Sequence, residues 1–83
     1  MTQLARTPKQ AGDTLRRHRQ ALKLTQQDIS GRTHLRQATI SKLEAGEAGV
    51  RLGTLFDVLA ALDLELVIQP RTKSSPRDIE SSF

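Results

Sequence analysis

Residues 25–46, TQQDISGRTHLRQATISKLEAG, leave few folds open to this chain. They read as two short helices joined by a tight turn. Thr25 is a good N-cap, and Asp28, three residues on, can answer it as in a capping box. Ile29 then faces inward. Gly31 is expected to end or loosen the first helix within two turns. Residues 33–36 form the turn, with Leu35 as its apolar plug. The second helix starts near Gln37 and carries Ile40 and Leu43 on one face. Its other face holds Gln37, Ala38, Thr39, Ser41 and Lys42, with no large apolar side chain among them.

A helix with that division of faces suits the major groove of DNA. The second helix of a helix-turn-helix enters the groove with its N-terminal residues at the base edges. A Gln side chain makes paired hydrogen bonds to adenine, Ser and Thr serve several bases, and Ala or the Thr methyl suits the thymine methyl. Lys42 and Arg36 reach phosphate or guanine.

Leu24-Thr25-Gln26, Ile29, Ala38-Thr39-Ile40-Ser41 and Leu43-Glu44-Ala45-Gly46, with Arg19 upstream, together resemble the helix-turn-helix of the phage-repressor-like (XRE) family. The likeness spans roughly residues 12–62. Within that family, Gln37 through Ser41 and the run LDLEL at residues 62–66 look most like HipB-type antitoxins. The resemblance implies that Arg19 and Glu44 form a structural ion pair. It also implies that Gln26 bonds a DNA phosphate and braces Gln37. Two positions depart from the family pattern. His34 stands where a turn glycine is usual, and His tolerates the left-handed region better than most side chains. Arg36 stands where a Ser or Thr cap is usual, at a cost of about 1 kcal/mol.

The charge is unevenly placed. Residues 1–51 hold ten Lys and Arg against four Asp and Glu, a balance of +6, whereas residues 52–83 hold three against five, −2. The basic half contains the helix-turn-helix, so a polyanion is the economical partner, with a plain solvated basic surface as the competing reading. Eighty-three residues suit one small domain with a thin core, for which oligomerisation is a remedy. There is no Cys, hence no disulfide and no thiolate metal site, which fits a cytoplasmic setting. No apolar run approaches the roughly 18 residues of a membrane helix. No metal or other cofactor is expected.

Residues 1–7 are expected as a flexible arm whose Arg6 either touches phosphate or stays untethered. Thr7 caps and Pro8 opens a first helix over about residues 8–22. Ala11, Leu15, His18 and Leu22 share its apolar face, and Arg16 and Arg17 lie elsewhere as phosphate candidates. His18 reads as a half-buried helix residue, since no second ligand sits at the right spacing for a metal. Gly46 stops the recognition helix, and Arg51 in the following loop is a further backbone candidate. A fourth helix over about residues 52–62 places Leu52, Leu55, Phe56, Leu59 and Leu62 in one stripe, with Val58 beside it. That stripe is core, or core continuing into a dimer contact.

Residues 64–69, LELVIQ, then alternate with period two before Pro70. A lone strand in a helical chain has unpaired backbone groups, so it is expected to pair with its copy across a two-fold axis, using Leu64, Leu66, Val67 and Ile68. A short fifth helix is the alternative. Residues 70–83 are polar and rich in Ser, Pro and charge, and are expected to be disordered, with Phe83 as a possible anchor for a partner's pocket.

The expected fold is therefore mainly α: a phage-repressor-like bundle of four helices over residues 8–69, closed by a C-terminal strand paired across a homodimer. The expected function is repression at palindromic double-stranded operator DNA. Bases or nearby phosphates fall to Arg36, Gln37, Ala38, Thr39, Ser41 and Lys42, and backbone grip to Gln26, Arg16, Arg17 and Arg51, with Gln27 and Arg32 as weaker phosphate candidates. The antitoxin resemblance further implies binding of a HipA-like Ser/Thr kinase toxin. The rivals are a free-standing repressor and an interaction module that does not read DNA. An enzyme is the weakest reading: no Cys, two His, and no Gly-rich phosphate loop in a supporting context.

Overall fold

The computed structural model describes residues 3–71, which form four helices: α1 (Pro8–Ala21), α2 (Gln26–Thr33), α3 (Gln37–Glu44) and α4 (Leu52–Ala61). Phe83 and the rest of the expected tail beyond residue 71 lie outside the described residues. Each helix begins where local chemistry says it should. The Gln10 amide donates to Thr7 Oγ1 at 3.1 Å, the Gln10 side chain accepts from the Arg6 amide at 2.7 Å, and Pro8 occupies the first turn. The capping box of α2 is complete. The Asp28 amide donates to Thr25 Oγ1 at 3.0 Å, and the Thr25 amide returns a bond to Asp28 Oδ2 at 2.8 Å.

Three of the helices stop in the same way, with a left-handed residue followed by a pair of nested hydrogen bonds to the last turn. Lys23 (φ 58°), Gly46 (φ 82°) and Asp63 (φ 58°) take that position after α1, α3 and α4. Their amides and those of Leu24, Glu47 and Leu64 donate to carbonyls of the preceding turns, as in a Schellman motif. Of the three, only Gly46 is signalled by residue type; Lys23 and Asp63 adopt the same shape at some steric cost.

Gly31 does not end α2, which continues to Thr33. The hydroxyls of α2 shape the turn instead. Thr33 Oγ1 donates to the Ile29 carbonyl at 2.8 Å and accepts from the Leu35 amide at 3.2 Å, and the Ser30 hydroxyl donates to the Leu35 carbonyl. His34 then turns the chain in the left-handed region, φ 63°.

The core joins Leu15 of α1, Ile29 of α2, Ile40 and Leu43 of α3, Val58 and Leu59 of α4, and Leu62 just past it. Ile29, Ile40 and Val58 are fully enclosed, and burial of each contributes about 1.5–3 kcal/mol. α3 is held between α1 and α2, and α2 also packs on α4. The apolar stripes of the outer helices are narrower than spacing alone implies. Leu22, expected on the inner face of α1, is 53% exposed because it caps the helix rather than facing inward. Leu52 and Phe56 of α4 are 65% and 46% exposed, while Val58 takes the inner position. On α1, Gly12 and Arg19 join Leu15 in the buried row, and Ala11 and His18 are half-buried.

Residues 64–70 adopt neither helix nor strand ladder within the single chain. The alternative short fifth helix is not formed by these residues. Leu64 is half-buried against the core, whereas Leu66, Val67 and Ile68 project outward. They line one side of an open groove of about 720 Å³ whose floor includes Leu15, Leu55 and Leu59.

Candidate nucleic-acid interface

α3 has two unlike faces because its apolar residues recur every third position. Ile40, Leu43 and Glu44 are buried. Gln37, Ala38, Ser41 and Lys42 are exposed, and Thr39 is half-exposed at the edge. The outward face thus offers a flexible amide, a hydroxyl, a small apolar patch and a cation along two turns.

Arg36 immediately precedes this face. It is the N-cap residue of α3 and makes no side-chain cap. Arg51 holds the same place before α4, again without a side-chain cap. The first-turn amides of a helix lack intrahelical acceptors, so an uncapped start beside an Arg favours an anionic oxygen. Thr39, Lys42 and Arg51 meet along a cleft of about 430 Å³ between α3 and the loop leading to α4, with Thr54 on its far wall. Five of the expected contact residues, Arg36, Gln37, Ala38, Ser41 and Lys42, therefore lie exposed together, and Arg51 borders them across the cleft.

The other expected backbone contacts divide. Arg16 is exposed on α1. Arg17 leans toward the N-terminal arm, donating from Nη2 to Gln3 Oε1 at 2.9 Å and to Thr14 Oγ1 at 3.3 Å. Gln27 and Arg32 are exposed on α2. The Gln26 side-chain amide donates to Glu44 Oε1 at 3.2 Å, and among the described residues no hydrogen bond joins it to Gln37.

That bond attaches Gln26 to the ionic centre of the domain. Arg19 Nε donates to Glu44 Oε2 at 2.7 Å and Nη2 to Oε1 at 2.9 Å, while Nη1 donates to the Leu24 carbonyl at 2.8 Å. Both residues are buried, and among the described residues no buried side-chain donor or acceptor is left unpartnered. The hydrogen bonds that Arg19 donates to Glu44, together with the Glu44 charge, raise the Arg19 pKa above its ordinary value against the opposing effect of burial, so the guanidinium stays charged. A fully bonded buried pair of this kind fixes geometry more surely than it adds stability. Here it ties α1, the entry to α2 and the end of α3 to one carboxylate.

The left-handed residues Lys23 and Asp63 and the close approach of Gly12 to α3 escaped the sequence reading. A glycine inside an otherwise good helix was the available signal for the last.

Among the described residues, no group of three or more His, Cys, Asp or Glu is placed to hold a metal ion, and no helix is long and apolar enough to cross a membrane. A small helical bundle that buries one face of an eight-residue helix and presents the other, polar and cationic, defines a helix-turn-helix DNA-binding domain. The chain belongs to the Helix-turn-helix family, of the XRE type, which it matches over residues 15–68. It is 46% identical over 57 residues to an uncharacterized HTH-type transcriptional regulator, y4dL, of Sinorhizobium fredii (strain NBRC 101917 / NGR234). That match takes in 69% of this chain but only 29% of the relative, so the chain spans less than a third of that protein's length. Among solved structures it is similar to a HipB–O4 20mer complex, with a TM-score of 0.81 and 27% identity over 86% of this chain and all of the HipB chain. It is likewise similar to a chain of a HipA–HipB–O2–O3 complex, with a TM-score of 0.80, 27% identity and the same coverage.

Proposed function

We propose that the chain is a homodimeric operator-binding repressor of the HipB type, acting on its own promoter and binding a HipA-like Ser/Thr kinase toxin that it restrains. The observation that carries the DNA half is the outward face of α3. Gln37, Ala38, Ser41 and Lys42 stand free of the core while Ile40, Leu43 and Glu44 hold the helix from behind. Gln37 and Ser41 read base edges, with Ala38 and the Thr39 methyl against thymine. Arg36, Lys42, Arg51 and Arg16 contact phosphate, and Gln26 and Arg17 add to that grip.

Dimerisation is supported by residues 64–69. Their backbone has no ladder within the chain, Leu66, Val67 and Ile68 are exposed, and Ile68 is 90% so. Pairing this segment with its copy around a two-fold axis covers those side chains and builds a backbone ladder between the copies. The same axis places two recognition helices on one side of a palindromic site. The kinase partner rests on likeness to a protein solved together with HipA. Such a regulator works in the cytoplasm, on the nucleoid when bound to DNA.

The test is footprinting on the DNA preceding its own reading frame. Two protected stretches, centred about one helical turn or a multiple of it apart, are expected. A single protected stretch contradicts the dimer, and no protection leaves the interaction module that does not read DNA as the better account. Protection with no effect of a co-expressed HipA-like kinase on repression leaves the free-standing repressor.

A further inference from the structure

We infer that Gly12 is a positioning residue for the recognition helix: its bare Cα lets α1 seat on the last carbonyls of α3 and so sets the angle at which α3 is presented. The inference rests on α3 being the element that reads DNA.

Gly12 is buried in the middle of α1. A Cβ added there would lie 2.6 Å from the Leu43 carbonyl oxygen, 2.6 Å from that of Glu44 and 2.9 Å from the Glu44 carbonyl carbon. All three are backbone atoms, so none can step aside as the end of a flexible side chain would. The contact is matched from the other helix. Gly46, immediately past α3 with φ 82°, would direct a Cβ to within 2.5 Å of Lys9 Cα, one turn before Gly12 on α1. Two glycines, one on α1 and one just past α3, thus let the two backbones meet without an intervening side chain.

Seven residues beyond Gly12, two turns along α1, Arg19 grips the Glu44 carboxylate. Glu44 is therefore held by α1 twice, at its carbonyl by Gly12 and at its side chain by Arg19. It is also the last residue of α3, and α3 has only eight residues. The base-reading end at Gln37 stands about 10 Å up the axis from this anchor. A tilt imposed at Glu44 is delivered in full to Gln37, where hydrogen bonds to base edges tolerate little misplacement. Phosphate contacts from long Lys and Arg side chains adapt to the same tilt. A Cβ at residue 12 is thus expected to reduce discrimination between sequences while sparing attraction to DNA as a polyanion.

Two other helical glycines serve as controls. A Cβ at Gly31 of α2 or Gly53 of α4 meets nothing within 4 Å. Replacing either by Ala only improves helix propensity.

The experiment compares Gly12→Ala, Gly31→Ala and the double variant Gly12→Ala/Gly31→Ala with the parent chain. Binding is measured by fluorescence anisotropy on a duplex of the DNA preceding the chain's own reading frame and on a scrambled duplex of equal composition. Circular dichroism fixes a temperature at which each chain is folded. Gly12→Ala, alone or in the Gly31→Ala background, is expected to lose about tenfold or more in affinity for the first duplex and to stay within about twofold on the second. Gly31→Ala is expected to match the parent on both. Undiminished affinity of folded Gly12→Ala for the promoter duplex overturns the proposal, and so does an equal loss on both duplexes. Failure of both Gly12→Ala forms to fold overturns it too, because Gly12 then supports the whole bundle rather than the angle of one helix. A parent chain that does not distinguish the duplexes sinks the DNA reading itself. The seating of α3 is then judged on amide chemical shifts of Gly12→Ala, which must change chiefly at residues 43–46 and their α1 neighbours, and a change spread over α2 and α4 contradicts it.

Discussion

Arg19 and Glu44, twenty-five residues apart, meet side to side in a two-bond fork, Nε to Oε2 at 2.7 Å and Nη2 to Oε1 at 2.9 Å, with both side chains almost wholly out of solvent. Breaking such a pair from one side leaves a buried charge without its partner. Arg19→Ala or Glu44→Ala is therefore expected to cost about 3–5 kcal/mol in urea unfolding. An Arg19→Met/Glu44→Leu chain should regain most of that loss, since apolar side chains of similar volume need no partner. A double variant as unstable as either single one would mean that the pair stabilises the fold outright.

His34 occupies the left-handed turn between α2 and α3 with φ 63°. A side chain costs roughly 1–2 kcal/mol there relative to its usual conformations, and glycine's greater freedom in the unfolded chain takes back part of that gain. His34→Gly is expected to raise stability by about 0.5–1 kcal/mol, seen as a higher urea midpoint with an unchanged slope. A fall in midpoint would show that the imidazole makes a compensating contribution in the turn.

The capping box gives the fold a defined response to acid. The Asp28 carboxyl lies below the usual carboxylate range because it accepts a hydrogen bond from the Thr25 backbone amide, helped by the Thr25 side chain and the Arg32 charge, with slight desolvation opposing. A folded pKa below the unfolded value means that the folded state binds this proton less readily. The contribution is thus present above the unfolded value, about 3.9, and is lost as pH falls through the folded one. An NMR titration of Asp28 should give a midpoint under the free-carboxylate value, and Thr25→Ala, which removes the side-chain contribution and keeps the backbone amide, should return it only part of the way. A midpoint at or above the free-carboxylate value in the parent chain would contradict the cap as its cause.

Among the described residues, Ile68 is the most exposed of the large apolar side chains. Ile68→Lys places like charges near one another if residues 64–69 pair across a two-fold axis. Sedimentation velocity is expected to show a monomer for Ile68→Lys at concentrations where the parent chain is a dimer. A dimer unaffected by this change would place the interface elsewhere.

Local chemistry was the most legible part of the fold. Thr25 and Asp28 announce the start of α2, and Gly46 announces the end of α3, because each signal depends only on residues within one turn. The two faces of α3 were readable for a related reason: Ile40 and Leu43 leave a polar remainder that has no place in a core. What required the structure was knowledge of which neighbour covers each stripe. Spacing puts Leu22, Leu52 and Phe56 in apolar rows, but among the described residues no element is packed over them. Gln26 could be bonded from several directions, and its side chain donates to Glu44. The role of Gly12 lies in the carbonyls of Leu43 and Glu44, which are distant in the chain and meet it only in the folded bundle.

The most direct test of sequence readout by α3 is binding of the parent chain and Gln37→Ala to its promoter duplex and to a scrambled duplex, at 50 mM and 200 mM salt. The parent is expected to prefer the promoter duplex, with its affinity falling by about 10³–10⁵ across that salt range if each dimer neutralises six to ten phosphates. Gln37→Ala should lose about 1–3 kcal/mol on the promoter duplex alone and keep the parent's salt slope. Equal, weak binding of the parent to both duplexes, or a Gln37→Ala chain indistinguishable from it, would contradict sequence readout by α3.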